Sequence, residues 1–485
     1  MPSMSCFNWF ASALRPVSRI FRIFFHERHP TAIDHYPPTP EQLHSQKQAF
    51  IDSIDHDAVC RLASRYNNEE SCHIFDSKHG SFNACFFVEF PSSGTRWVVR
   101  IPIDPVVNEI WTKLQKYFRP VANSGEMARY VKNKTKIPLP DIHAYGRNEK
   151  LVHDSSTTQA FLILDFVSGQ PLDLQALRDD TLSRRKHFYA QLIEVMTQLR
   201  TLEFTKSGSL MPGHEAVPVV DNVLSIPLNE FQVDSNQARS LPMAHSAREF
   251  ALNQLNLMEE EYRLPRSELS RETVEMEIFA LNHLKQLTQG LADDPNCFVL
   301  SHSDLRPTNI IVDDDLNITS ILDWEWTHTV PRQFFMPPSW ITLHNLVKSA
   351  ELGHSESFLE FREVLEEMAS SSSLYRPLAD EWEPDLLKKL LLPLAEILLD
   401  HSKLLRIYYK FIFPQYFKKP RREVVAEFLQ SGKNYALEVH KRVTDSEQYT
   451  NHLKDSGLYV LDDEARQEQE YMEKIRQLDR ELGIP

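Results

Sequence analysis

Apolar and polar residues alternate with a period of two along residues 84–90 and again along 97–102, and Pro91, Ser92, Ser93 and Gly94 separate the two runs. That pattern predicts two β-strands joined by a turn. Residues 160–166 form an apolar run that ends in a turn containing Gly169, which predicts a further strand. Beyond it the period lengthens. Residues 182–202 carry Phe188, Leu192, Met196 and Leu199 at helical spacing, and residues 272–287 carry Val274, Ile278, Leu281 and Leu284 in the same way. Both predict core helices. Residues 386–408 predict an apolar helix kinked by Pro393, and residues 466–482 a highly charged one. Two short β-branched runs, 310–312 and 318–322, flank Asp313, Asp314, Asp315, Leu316 and Asn317, whose turn chemistry predicts a hairpin.

The chain therefore divides into a strand-rich part and a larger helical part, an α+β class. Residues 1–56 are read as an N-terminal extension, with Pro30, Pro37, Pro38 and Pro40 marking a linker. The small lobe is expected at 57–160 and the large lobe at 161–425. Within the latter, 205–270 begins Pro- and Ser-rich and then turns helical, an insertion where substrate specificity could reside. Residues 426–485 are expected to be a C-terminal helical extension.

The chemistry concentrates in one stretch. Asp304 follows the apolar residues Phe298, Val299 and Leu300, Asn309 comes five positions later, and Asp323 closes the second strand of the hairpin. Phosphoryl transfer through a loose, in-line transition state asks the protein mainly for positioning and charge neutralisation. Asp304 suits a base that takes or orients a hydroxyl proton. The hard oxygens of Asn309 and Asp323 suit Mg²⁺. Upstream, Lys78, His79, Gly80, Ser81, Phe82 and Asn83 form a small-residue loop ahead of the first strand, a plausible cover for phosphates. The reading is an ATP-dependent kinase.

The segment from His302 to Asn309, followed by Asp323, Trp324 and Glu325, resembles the aminoglycoside phosphotransferase and choline kinase-like family, relatives of the protein kinases. Ser303 stands where that family usually has Gly. The resemblance implies a protein-kinase-like two-lobe fold, with a small β-rich N-lobe and a larger, mainly helical C-lobe. It implies Asp304 as catalytic base, Asn309 and Asp323 as magnesium ligands, and His302 as a brace for the loop. Gly80, Ser81 and Asn83 would cover the phosphates. Arg100 stands at the strand position where the family more usually has Lys, and its expected partner is Glu126. The stretch 160–169 resembles the hinge, so the backbone around Asp165, Phe166 and Val167 would hold adenine. The Trp-Glu-Trp run and the later Pro337, Pro338 and Trp340 are similar to a fungal branch of the family.

Composition narrows the remaining possibilities. A formal net charge of -15 argues against nucleic-acid or anionic-membrane partners and favours a neutral or cationic small-molecule hydroxyl substrate. Five cysteines without C-x-x-C spacing read as reduced thiols, and no structural zinc is indicated. No apolar run reaches eighteen residues, so no transmembrane segment is expected. Residues 7–29 mix aromatic and aliphatic residues with Arg15, Arg19, Arg22 and Arg28, a composition suited to a mitochondrial targeting segment, an interfacial helix or a docking arm. The expected compartment is the cytoplasm, with the mitochondrion as the alternative. His26 and His29 read as a solvated pair, and Trp324, Trp326 and Trp340 as core anchors. Glu325 is divided between a loop brace and a contact to a cationic substrate. Two functional classes remain: a small-molecule kinase using ATP and Mg²⁺, or a nucleotide-binding pseudokinase or interaction protein with little turnover. The absence of D-F-G and A-P-E argues against a protein kinase.

Overall fold

The alternation along 84–90 becomes strand β2 of a five-stranded antiparallel sheet in a computed structural model of the chain. The structure describes residues 36–107, 126–154, 156–211, 218–291, 297–342, 356–383 and 390–460, with the side chains of 126–129, 356, 357 and 433 not among them. The segments at 7–29 and 466–482 lie outside the described residues, as do His26 and His29. The sheet comprises β1 (His73–His79), β2 (Asn83–Phe90), β3 (Thr95–Pro102), β4 (Ile142–Glu149) and β5 (Gln159–Asp165), in the order β1-β2-β3-β5-β4. Gly94, at φ 71°, closes the turn between β2 and β3.

A period of two gives each strand two faces, and here both are used. Ala84, Phe86, Val88 and Phe90, with Val99 and Ile101 of β3, bury against Val59, Leu62 and Ala63 of a helix. Full burial of one such side chain contributes about 1.5–3 kcal/mol. The alternate residues Cys85 and Phe87 pair with Arg100 and Val98 and face a cleft. Two helices precede the sheet, α1 (Pro40–Asp52) and α2 (His56–Tyr66), α2 being the one it packs on. Pro40, read from the sequence as linker, instead opens α1, where its missing N–H costs nothing. Thr39 caps that helix through a reciprocal pair of hydrogen bonds with Gln42, 3.2 Å from the Gln42 N–H and 2.9 Å to its side-chain oxygen.

Beyond the sheet the chain is mainly helical. After α3 (Glu126–Lys134), the predicted core helices appear as α4 (Leu182–Arg200) and α7 (Arg271–Thr288). Between them, 205–270 supplies a two-stranded hairpin and helices α5 (Ile226–Ser235) and α6 (Ala247–Tyr262). The apolar stretch after 386 departs from expectation. Pro393 is the second residue of α8 (Leu392–Leu399), directly after the π-helical residues 390–391, and residues 386–389 lie outside the described residues. The break comes at Asp400, which is extended (φ -143°, ψ 98°) and whose carboxylate accepts from the Ser402 N–H at 3.2 Å. Among the described residues no helix is long and apolar enough to cross a membrane.

Candidate active site

The loop that carries the chemistry is anchored by a buried strand. β6 (Phe298–Ser301) lies between Glu203–Phe204 and His328–Pro331, and Phe298, Val299 and Leu300 are fully enclosed. The chain leaves it at His302, whose Nε2 donates to the Leu322 carbonyl at 2.8 Å and whose ring meets Trp324 edge-on at 4.7 Å. Burial holds the His302 pKa below its usual value, which keeps the ring neutral. His302 thus ties the loop to the hairpin β7 (Ile310–Val312) and β8 (Ile318–Ile321). The turn between those strands is the expected one: the Asp313 carboxylate accepts from the N–H groups of Asp315 and Asn317, each at 2.9 Å.

Asp304 and Asn309 are buried together. The Asn309 side-chain N–H donates to the Asp304 backbone carbonyl at 2.8 Å and to its carboxylate at 3.1 Å. This leaves the Asn309 side-chain oxygen without a hydrogen bond among the described residues. Arg306 forms a close ion pair with Asp304. The Leu322 N–H donates to the Asn309 carbonyl at 2.8 Å, which brings the next residue, Asp323, alongside. Asp323 is left-handed (φ 61°, ψ 51°), a conformation costing roughly 1–2 kcal/mol that Asp tolerates better than most residues.

Arg100 reaches this group from the sheet. Its guanidinium lies 2.7 Å from the Asp323 carboxylate and 3.6 Å from that of Glu325, and Glu325 also accepts from the Asn83 side chain at 3.0 Å. Glu325 is therefore a brace between the sheet and the loop. Glu126, expected to pair with Arg100, has its side chain outside the described residues. Burial pushes the neighbouring Cys85 thiol up to about 11, so it stays protonated at neutral pH.

Gly80, Ser81, Asn83, Arg100, Asp165, Phe166, Val167, Asp304, Asn309 and Asp323 all line one cleft of ≈ 690 Å³. At its hinge side the Phe166 N–H donates to the Arg96 carbonyl at 3.1 Å, and the Asp165 carboxylate is 2.6 Å from His143. Val167 makes no backbone hydrogen bond among the described residues. Gly169, at φ 126°, brings the backbone so close to β7 that a Cβ would stand 2.5 Å from the Val312 carbonyl. The sequence reading missed Phe75, which packs with Phe87 and Phe166 at 5.6–6.1 Å, and Arg306 beside Asp304. Arg306 lay inside the motif and only its partner was hidden. Phe75 sits in an exposed strand with no alternation to mark it.

Trp324 and Trp326 are core anchors, 3% and 1% exposed. Trp340 instead lines a second cavity of ≈ 500 Å³ that shares Asp304 and Arg306 with the first. Its walls come from α4, α5, α6, the loop after β6, and residues 328–340 and 395–403. Among the described residues no group of three or more His, Cys, Asp and Glu could hold a metal by itself. The open Asn309 oxygen and the Asp323 carboxylate fit Mg²⁺, which is usually held by one or two side chains plus phosphate oxygens and water.

The sequence profile of the phosphotransferase enzyme family matches residues 78–332, more than half of the 485 residues. No curated protein matches the chain. Among solved structures the chain is similar to an ethanolamine kinase of Plasmodium vivax, at 13% identity over 86% of this chain and 96% of that one, with a TM-score of 0.42. It is also similar to a GDP complex of an aminoglycoside 2′-phosphotransferase, at 15% identity over 81% and 98% of the two chains and a TM-score of 0.44. A macrolide 2′-phosphotransferase of Brachybacterium faecium is 17% identical over 68% and 98%, with a TM-score of 0.32.

Proposed function

Because this chain belongs to the phosphotransferase enzyme family, we propose that it moves the γ-phosphoryl group of ATP to a hydroxyl of a small molecule, with Asp304 as the base. One observation carries this reading: Asp304 is a wall common to two cavities, and one of them also holds Asn309, Asp323 and Arg100. Nucleotide would lie in the larger cleft, its adenine against the backbone of Asp165, Phe166 and Val167 and its phosphates under Gly80 and Ser81. The acceptor would enter from the second cavity.

Asp304 takes the hydroxyl proton as the acceptor oxygen bonds to the γ-phosphorus and the bond to the β-phosphate oxygen breaks, so that ADP leaves. Asn309 holds the Asp304 backbone and carboxylate in one orientation. Arg306 is ion-paired with that carboxylate. Asn309 and Asp323 would hold Mg²⁺, which when bound neutralises the charge of the β- and γ-phosphates. Arg100 adds a planar cation toward the phosphates.

The Arg100 ion pair with Asp323 also favours a second reading, a nucleotide-binding protein with little turnover, in which the guanidinium occupies the carboxylate that magnesium would need. Asp304→Asn separates the two. Under the transferase reading, ADP release with a suitable acceptor falls about 10²–10⁴-fold while nucleotide affinity holds. Unchanged ADP release in the variant removes Asp304 from the role of base.

A further inference from the structure

Two half-buried thiols meet where the chain enters the sheet, and neither lines the cleft or the second cavity. Cys60 lies on α2, and Cys72 lies in the connection between α2 and β1. The Cys72 thiol donates to the Cys60 carbonyl at 3.4 Å, and the two thiols also interact directly with each other. Both are free cysteines. The turn between them fixes this approach. Glu69, at φ 60°, donates its N–H to the Ser64 carbonyl at 2.9 Å, which folds the chain back along the helix. Cys72 then packs at the edge of the core that joins the sheet to α2.

The two sulfurs are not equivalent. The hydrogen bond with Cys72, helped by the Ile74 N–H and Arg61, holds the Cys60 thiol down to about 7 against desolvation and the Asp57 charge. The same contact pushes Cys72 up. A partly exposed sulfur with thiolate character beside a protonated one is the arrangement of an attacking cysteine and its resolving partner. The strand that follows extends the reach of the pair. Among the described residues β1 pairs with β2 alone and is mostly exposed, so it belongs to the weakly held part of the sheet. Its Phe75, Asp76, Lys78 and His79 nevertheless line the cleft.

We propose that Cys60 and Cys72 form a peroxide-oxidisable pair whose disulfide tethers the start of β1, and with it one rim of the cleft, to α2. The oxidant is a hydroperoxide. The Cys60 thiolate attacks a peroxide oxygen, the O–O bond breaks, and the departing hydroxide takes up a proton, leaving Cys60 as a sulfenic acid. The Cys72 sulfur then attacks the Cys60 sulfur. The S–S bond forms, the S–O bond breaks, and the hydroxide leaves as water with the Cys72 proton. The two thiols together lose two electrons, and the peroxide is reduced to water.

The test treats the reduced full chain with hydrogen peroxide, alkylates the remaining thiols and maps the peptides by mass. A Cys60–Cys72 cross-link is expected to form before Cys85 or Cys297 is oxidised, and dithiothreitol should reverse it. In Cys72→Ser, which removes the resolving thiol, Cys60 should instead advance to the sulfinic acid. Hydrogen exchange reads the tether: the amides of residues 73–79 should exchange about tenfold more slowly in the oxidised parent, and not in peroxide-treated Cys72→Ser. Prior oxidation of Cys85 or Cys297, a sulfinic acid at Cys60 in the parent, or a cross-link from either residue to another cysteine overturns the proposal. Equal exchange of β1 in the reduced and cross-linked parent overturns it as well.

Discussion

The cleft lined by Arg100, Asn309 and Asp323 and the second cavity share Asp304 and Arg306 but are assembled in opposite ways. The cleft draws on a hairpin between residues 80 and 100, the strand end at 165–169 and the loop and hairpin at 304–325, so its polar groups arrive in short, ordered motifs. The cavity draws single residues from α4, α5, α6 and two later segments that meet only in the folded chain. In the cleft, charge is internally matched: Arg100 answers Asp323 and Glu325. In the cavity, Glu230 has no ion-pair partner among the described residues. The cleft is thus built from local geometry and closed on itself, whereas the second cavity is assembled from dispersed positions.

The contrast can be broken most forcefully on the matched side. Arg100→Met strands two carboxylates against the sheet, and the loss in urea unfolding should be about 3 kcal/mol, the low end for a buried pair because Asp323 is 34% exposed. A loss near zero would mean that the cation is not what holds that side together. On the open side the sign reverses. Gln254→Leu removes a buried amide oxygen that has no hydrogen-bond partner, so the protein should gain about 1 kcal/mol. Destabilisation by that variant would show the amide to be satisfied in solution.

A third effect concerns protons. Desolvation, with repulsion from Glu261, raises Asp234 to about 6, above the 3.8 of an unperturbed carboxyl. The native state therefore keeps this proton over a window in which the unfolded chain has released it. Its contribution to stability is largest at low pH and declines as pH rises through that window. Asp234→Asn should flatten the decline, so the stability difference between variant and parent grows from about pH 4 to about pH 6 in thermal melts. A constant difference would place Asp234 at an ordinary carboxyl pKa.

How much the sequence disclosed follows the same division. Asp304, Asn309 and Asp323 were legible because a loop, a strand, a turn and a strand fix them within twenty residues, and the structure brings them to one wall with Gly80, Asn83 and Arg100. The partners of Arg100 were not legible, since Asp323 and Glu325 lie more than two hundred positions away and only the fold joins them. Glu230 and Gln254 look like any polar residue on an amphipathic helix. β1 escaped because it is mostly exposed and shows no alternation. The single helix expected across residues 386–408 is interrupted at Asp400, an extended residue whose carboxylate caps the turn that follows by accepting from the Ser402 N–H.

The central claim is that Asn309 and Asp323 complete a magnesium nucleotide site beside Asp304. The thermal midpoint of the full chain, measured with ATP in the presence and absence of Mg²⁺ and repeated for Asp323→Ala, tests it most directly, because a ligand that binds only the native state raises its stability, by about 2.7 kcal/mol at a hundredfold excess over Kd. The account predicts a rise that requires Mg²⁺ and disappears in the variant. No rise at millimolar Mg·ATP, or a rise that Asp323→Ala leaves intact, would contradict it.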